Sequence, residues 1–282
     1  MKHLTDCYTL NNGTKIPCVG FGTWQTPDGE TAVSAVKAAL DAGYRHIDTA
    51  AAYGNEESVG VGIKQSGVAR EDIFLTTKLW NGDHGYEATL KACDLSLKKL
   101  GTDYLDLYLI HWPNPKAFRD CWEEKNAESW RAMEELAAAG KVRAIGVSNF
   151  MIRHMEALLK TAKTVPAANQ IKLCPGITQD EVVDYCRQKG ILLQAYSPLG
   201  TGKIFDIAEM RDLAQKYGKT VAQVCVRWSL QMGFNPLPKS VSADRIAENA
   251  GVFDFQISEG DMAVISAVKG LGEAPNPDDR SF

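Results

Sequence analysis

Residues 73–80 read IFLTTKLW, residues 86–101 read YEATLKACDLSLKKLG, and residues 104–112 read YLDLYLIHW. The outer two are short β-rich runs. The middle one carries Leu90, Cys93 and Leu97 at helical spacing and stops at Gly101. Strand, helix and strand in this order form the unit from which parallel sheets are built.

The same rhythm extends in both directions. Towards the N-terminus lie CVGFGTW (18–24), the helix-like TAVSAVKAALDAG (31–43) and YRHIDTA (44–50). Towards the C-terminus follow VRAIGVSN (142–149), AANQIKLC (167–174), LLQAYSPL (192–199) and FNPLPKS (234–240). Eight strands spaced by roughly 25–40 residues predict an α/β protein of the (β/α)8 TIM-barrel type. A doubly wound sheet is the rival, but no GxGxxG follows any strand. Ahead of the barrel, YTLNNGTKIP (8–17) predicts a hairpin turning at Asn12-Gly13. The end, EAPNPDDRSF (273–282), is too rich in Pro and Asp for a helix and is expected as a tail over the barrel mouth. No linker or composition break divides residues 1–282, so a single domain is expected. Residues 201–207 are expected as a mobile loop.

Composition narrows the function. The chain has 282 residues, 45% hydrophobic and 23% charged, with 31 basic against 35 acidic residues. A net charge of −4 without charge runs argues against nucleic acid or an anionic membrane as partner. No secretory signal and no membrane-spanning run is visible, and seven Cys without CxxC suit reduced thiols; a cytoplasmic location is expected. The five His form no metal-binding spacing, so no metal is expected.

In such a barrel the reacting groups gather at the C-terminal strand ends. Asp48, Tyr53, Lys78 and His111 all fall there. Alternation puts His111 on one face with Leu105, Leu107 and Leu109, and turns Asp106 to the other. Singly, each has an ordinary reading: a turn cap, a packed ring, a solvated cation, a structural imidazole. Converging on one mouth, they suggest proton chemistry. An ammonium beside a phenol lowers a pKa of roughly 10. Asp48 would hold Lys78, Lys78 would tune Tyr53, and His111 would donate to a carbonyl oxygen. Protonating that oxygen is half of a reduction; the hydride must come from a cofactor. PKSVSADRIAEN (238–249), with Lys239, Ser240 and Arg245 around a helix start, suits a phosphate.

Taken together, GYRHIDTAAAYGNEESVG (43–60), TTKLW (76–80), LDLYLIHWP (105–113), GVSNF (146–150), QAYSPLG (194–200) and residues 238–249 closely resemble the aldo-keto reductases. The likeness is greatest to the prokaryotic branch with glyoxal/methylglyoxal reductases and 2,5-diketo-D-gluconate reductases. It spans essentially the whole chain. The resemblance implies a barrel binding NADPH/NADP+ across its mouth, with Asp48, Tyr53, Lys78 and His111 as the catalytic tetrad. Tyr53 would be the general acid, and His111 would orient the substrate carbonyl. It implies that Ser148, Asn149 and Gln170 grip the nicotinamide carboxamide and that Tyr196 stacks on its ring. Ser197, Leu199 and Gly200 would follow the pyrophosphate. Lys239, Ser240, Val241 and Arg245 would take the adenosine phosphate, with Glu248 and Asn249 near the adenine. Gly22, Thr23 and Trp24 join the cofactor set, and Trp24, Trp80 and Trp112 join Tyr53 and His111 in the substrate pocket.

One stretch departs from the family. Where NQVE-x-HP is usual, residues 169–175 read NQIKLCP, with Lys172 replacing an acid and Cys174 a His. An NADPH-dependent reductase of aldehydes and reactive ketones, with 2-oxoaldehydes such as methylglyoxal and keto-sugar acids as substrates, working as a monomer, is expected. A non-catalytic NADPH-binding or sensing barrel and a Schiff-base lyase using Lys78 are the other classes.

Overall fold

A computed structural model describes all of residues 1–282. The chain opens with an antiparallel hairpin, β1 (Cys7–Thr9) and β2 (Lys15–Pro17), in which Tyr8 pairs with Ile16. Gly13 takes φ +87° at its turn, a conformation that favours glycine. Eight parallel strands follow. They are β3 (Phe21–Gly22), β4 (His46–Asp48), β5 (Phe74–Leu79), β6 (Leu105–Ile110), β7 (Val142–Ser148), β8 (Ala168–Lys172), β9 (Leu192–Tyr196) and β10 (Asn235–Leu237). Each neighbours the next in chain order.

One helix follows each of the first six: α1 (Glu30–Asp41), α2 (Glu56–Ser66), α3 (Tyr86–Leu100), α4 (Trp122–Ala138), α5 (Ile152–Leu159) and α6 (Asp180–Gln188). Two helices share the seventh crossover, α7 (Ala208–Tyr217) and α8 (Val221–Gln231). They part at Gly218, φ +62°, and α8 restarts on a capping box in which Thr220 and Gln223 bond each other's backbone N–H. After β10 come α9 (Ala243–Ala250) and α10 (Glu259–Ala267). Residues 201–207, expected as a loop, lie largely in a 3-10 stretch, Gly200–Asp206, with Ile204 buried beneath it.

The barrel closes between its first and last strands. Gly20 N–H donates to the Pro236 carbonyl and Gly22 N–H to the Pro238 carbonyl, both at 3.0 Å. The prolines return no N–H, so this seam is thin and relies on close approach. A Cβ on Gly22 would sit 3.1 Å from the Leu237 carbonyl oxygen, and one on Gly20 only 2.4 Å from His46 Nδ1. Side chains there would open the seam.

Two apolar regions hold the fold. The larger, 56 buried residues, fills the space between strands and helices. The smaller lies inside the barrel, where Leu10 and Ile16 of the hairpin pack on Phe74, Leu107, Leu109, Ala144 and Ala168. The hairpin thus plugs the end where the strands begin, and each plugged aliphatic side chain stabilises by about 1.5–3 kcal/mol. Asp106, on the outward face of β6, binds Arg70 at 2.9 Å, Arg143 at 3.0 Å and the Leu75 N–H. Its role is to brace the barrel wall.

At the other end the tail is pinned over the mouth. Lys116 N–H donates to the Phe282 carbonyl (3.1 Å), Arg119 Nη2 to the Arg280 carbonyl (2.6 Å), and Asn114 Nδ2 to Asp278 Oδ1 (2.9 Å). His154 accepts the Met151 N–H on Nδ1, so its proton sits on Nε2 and points at Asp278 Oδ1, 3.1 Å away. Arg153 also pairs with Asp278. No helix of the chain is long and apolar enough to cross a membrane.

Candidate active site

Strand alternation sends Asp48, Lys78, His111, Ser148, Gln170 and Tyr196 to the inner face at or near the C-terminal ends of β4 to β9. Tyr53 arrives on a single 3-10 turn, Ala51–Tyr53, released by Gly54 at φ +69°. Lys78 is wholly buried. Its Nζ donates to Asp48 Oδ1 (2.7 Å) and the Thr49 carbonyl (2.7 Å), and lies 3.4 Å from the Tyr53 hydroxyl. The Tyr53 and His111 rings meet in a T-shaped pair with centroids 5.8 Å apart, and Trp80 packs on the same imidazole at 5.4 Å. Sequence reasoning placed these four groups together, and they meet.

The electrostatics differ from the simple expectation that Lys78 lowers the phenol's pKa. Burial, reinforced by the Asp48 carboxylate, holds Tyr53 well above the usual tyrosine range. Lys78 spends its charge on Asp48 at 2.7 Å before it reaches Tyr53 at 3.4 Å. Desolvation pulls the ammonium's own pKa down, and Asp48 pulls it partly back. His111 is buried and sits near Lys78, so its pKa is well below the ordinary value and the ring is neutral. The resting site therefore holds a neutral phenol and a neutral imidazole over a compensated ion pair.

Around this floor lies a cleft of about 940 Å³. Of the expected cofactor residues, Gly22, Trp24, Asp48, Ser148, Asn149, Gln170, Tyr196, Ser197, Leu199, Lys239, Ser240, Arg245, Glu248 and Asn249 line it. Thr23, Gly200 and Val241 do not. Thr23 is fully buried and donates Oγ1 to the Asp48 carbonyl (3.0 Å); Gly200 is buried under Leu271; Val241 faces outward. All of Trp24, Trp80 and Trp112 reach the cleft.

Asn149 adopts φ +62°, a conformation Asn tolerates better than most residues. That turn lets its amide donate to the His111 carbonyl (3.0 Å) and accept from the Tyr196 hydroxyl (2.9 Å). Gln170 donates Nε2 to Asp48 Oδ2 (2.8 Å) and lies 3.3 Å from Gln194 Oε1. Gln194 in turn donates to Asn235, whose amide donates to the Pro17 carbonyl of β2. A file of amides thus links the Asp48 carboxylate to the hairpin plug.

At the far end, Lys239 and Arg245 stand together without an acidic partner, and burial followed by Arg245 lowers the Lys239 pKa. Asn249 is buried there with its Oδ1 unpartnered. These groups fit a phosphate and an adjoining polar ring. Residues that sequence reasoning did not single out also line the cleft: Phe205, Glu273, Pro275, Arg280 and Phe282. The only signal for them was that the tail and the loop after β9 lie at the mouth. Lys172, noted as a departure, lines it as well and donates to the Glu273 carbonyl (3.3 Å), while Cys174 is buried and its thiol is pushed up to about 11.

Barrel, mouth and four-residue floor define a class. A family model described as "Aldo/keto reductase family" matches residues 18–269, and the chain belongs to that family. Over 280 residues it is 49% identical to "Glyoxal reductase" of Bacillus subtilis (strain 168), covering 99% of each chain. It is 43% identical over 274 residues to "Methylglyoxal reductase DkgA" of Escherichia coli (strain K12), covering 95% of this chain and 96% of that one. Among solved structures, the Bombyx mori aldo-keto reductase in complex with NADP matches with a TM-score of 0.84 at 38% identity, covering 93% of this chain and 92% of that one.

Proposed function

We infer that the protein reduces aldehydes and reactive ketones to alcohols with NADPH, 2-oxoaldehydes such as methylglyoxal among them, and that Tyr53 is the general acid. The observation that carries this reading is Tyr53 itself: a neutral phenol backed by Lys78 at 3.4 Å, beside neutral His111, on the floor of an aromatic-walled cleft. The names of the reductases to which the chain is similar support the reaction class.

NADPH supplies the hydride when bound. Its phosphate end would be held by Lys239, Ser240 and Arg245, and its nicotinamide end by Ser148, Asn149, Gln170 and the Tyr196 ring. A carbonyl oxygen placed between Tyr53 and His111 would meet an O–H donor and an N–H donor. As charge develops on that oxygen, Tyr53 gives up its proton. The phenolate so formed faces the Lys78 ammonium, which stabilises it without having lowered the resting pKa. Asp48 and Gln170 keep Lys78 in place throughout. Trp24, Trp80, Trp112 and Phe282 exclude water from the reacting end.

The test is Tyr53→Phe. Loss of general-acid catalysis should reduce turnover of methylglyoxal by about 10²–10⁴-fold while NADPH still quenches protein fluorescence. Near-full activity in that variant would remove the assignment.

A further inference from the structure

Neutral His111 can serve a carbonyl reduction in only one of its two tautomers. The ring lines the cleft, and of its nitrogens Nδ1 alone is buried without a partner, which leaves Nε2 as the one open to a substrate. To donate there, Nε2 must hold the single imidazole proton, and Nδ1 must then be an acceptor. In the other tautomer a lone pair would face the carbonyl oxygen. Which form the ring takes is decided by the group behind Nδ1.

The turn after β5 stands there. Leu79 of β5 pairs with Ile110 of β6, and the His111 N–H donates to the Leu79 carbonyl at 3.2 Å. Trp80 and Asn81, the next two residues, therefore flank His111. Asn81 is buried with neither amide atom bonded, and His84 is buried with neither ring nitrogen bonded. His84 stacks on Phe118 and lies close enough to act electrostatically on His111. Burial holds its pKa at about 4, so it too is neutral, with one N–H to give. The backbone of the turn is fixed: Asp83 N–H donates to the Trp80 carbonyl (3.0 Å), and Gly85 N–H donates to Ser129 Oγ on α4 (2.8 Å). Five buried polar atoms thus gather here, His111 Nδ1 and two each from Asn81 and His84. Such atoms are costly to bury unless they are bonded, and these have no other partner in the protein.

We propose that Asn81 is a positioning residue for the reduction. Its amide N–H, backed by His84, donates to His111 Nδ1, directly or through one bridging water. That bond keeps the imidazole proton on Nε2, aimed at the carbonyl oxygen. Asn81 does not line the cleft and touches neither substrate nor cofactor; it acts only through His111. This role rests on the reductase reading and deepens it.

The test reads the tautomer directly. Protein carrying isotope-labelled histidine, bound to NADP+ near neutral pH, gives proton–nitrogen NMR correlations that tell a protonated ring nitrogen from a bare one. His111→Gln identifies the His111 signals. The expected wild-type result is a proton on Nε2. In Asn81→Leu the ratio of Nε2–H to Nδ1–H should fall roughly tenfold, the size of one hydrogen bond, and kcat for methylglyoxal should fall with it. Asn81→Gln, which keeps the donor, should restore part of both. NADPH affinity, read by fluorescence, should stay unchanged and reports a folded cleft; Asn81→Val repeats the test should the leucine disturb folding. A wild-type proton on Nδ1, or a folded Asn81→Leu with wild-type tautomer and kcat, overturns the proposal. A fall in kcat with the tautomer unchanged would make Asn81 a packing residue and overturn it as well. No NADPH oxidation with any aldehyde, beside a tautomer that still answers to Asn81, would sink the reductase reading and leave only the control of the tautomer.

Discussion

Gln170 holds the side of Asp48 that Lys78 does not: Gln170 Nε2 lies 2.8 Å from Asp48 Oδ2, and Lys78 Nζ lies 2.7 Å from Oδ1. The carboxylate is thus bound on both oxygens in a fully buried site. Removing only one partner leaves charge without compensation. Lys78→Met should destabilise the protein by about 3–5 kcal/mol, because Asp48 stays buried with an amide alone. Asp48→Asn combined with Lys78→Met should cost less than the sum of the single changes. Urea unfolding of all four proteins closes the cycle; additive losses would mean the pair is not coupled.

The pH profile follows from two neutral groups. As the proposed general acid, Tyr53 must be protonated to act, and its pKa is raised, so reductive kcat/KM should fall only as pH climbs beyond the ordinary tyrosine value of roughly 10. The His111 pKa is depressed, so no step is expected near pH 6.5. Rates for methylglyoxal measured from about pH 5.5 to 10 would check this. A step near neutrality that vanished in His111→Gln would show a charged imidazole instead.

Acid stability has a separate origin, below the site. His46 lies inside the barrel with Nε2 3.1 Å from Thr76 Oγ1, and burial, followed by the Lys78 charge, lowers its pKa to about 3. The unfolded chain binds that proton near pH 6.5 and the folded chain does not. Stability is therefore complete above pH 6.5 and is lost as pH falls towards 3, by about 5 kcal/mol from this group. His46→Gln should flatten the slope of unfolding free energy against pH in that window by up to one proton. An unchanged slope would place the acid sensitivity elsewhere, with His84 and His154, both held at about 4, as the next groups to replace.

Cofactor choice is read at the other end of the cleft. Arg245→Ala removes one of two adjacent cations and should weaken NADPH binding roughly tenfold or more, the size of one charge-assisted contact, with little effect on NADH. Fluorescence titration with each dinucleotide separates the cases. Equal losses would detach Arg245 from the phosphate.

The primary structure alone determined the barrel and its floor. Strand-forming runs alternating with helical stretches encode eight parallel strands locally. Because side chains alternate along a strand, residue parity told which face His111 occupies and turned Asp106 outward. What it could not determine were contacts between segments distant in the chain. Gln170 meets Asp48 across 122 positions, the Gly20–Pro236 seam closes the ring, and Arg280 reaches Trp112 from a tail with no periodicity to read. Nor could it set the sign of the Tyr53 shift. Identity places an ammonium near a phenol, but only the packed structure shows that Lys78 gives its charge first to Asp48 and that burial then governs. Desolvation and long-range approach depend on the whole fold, whereas strand parity depends on two neighbours.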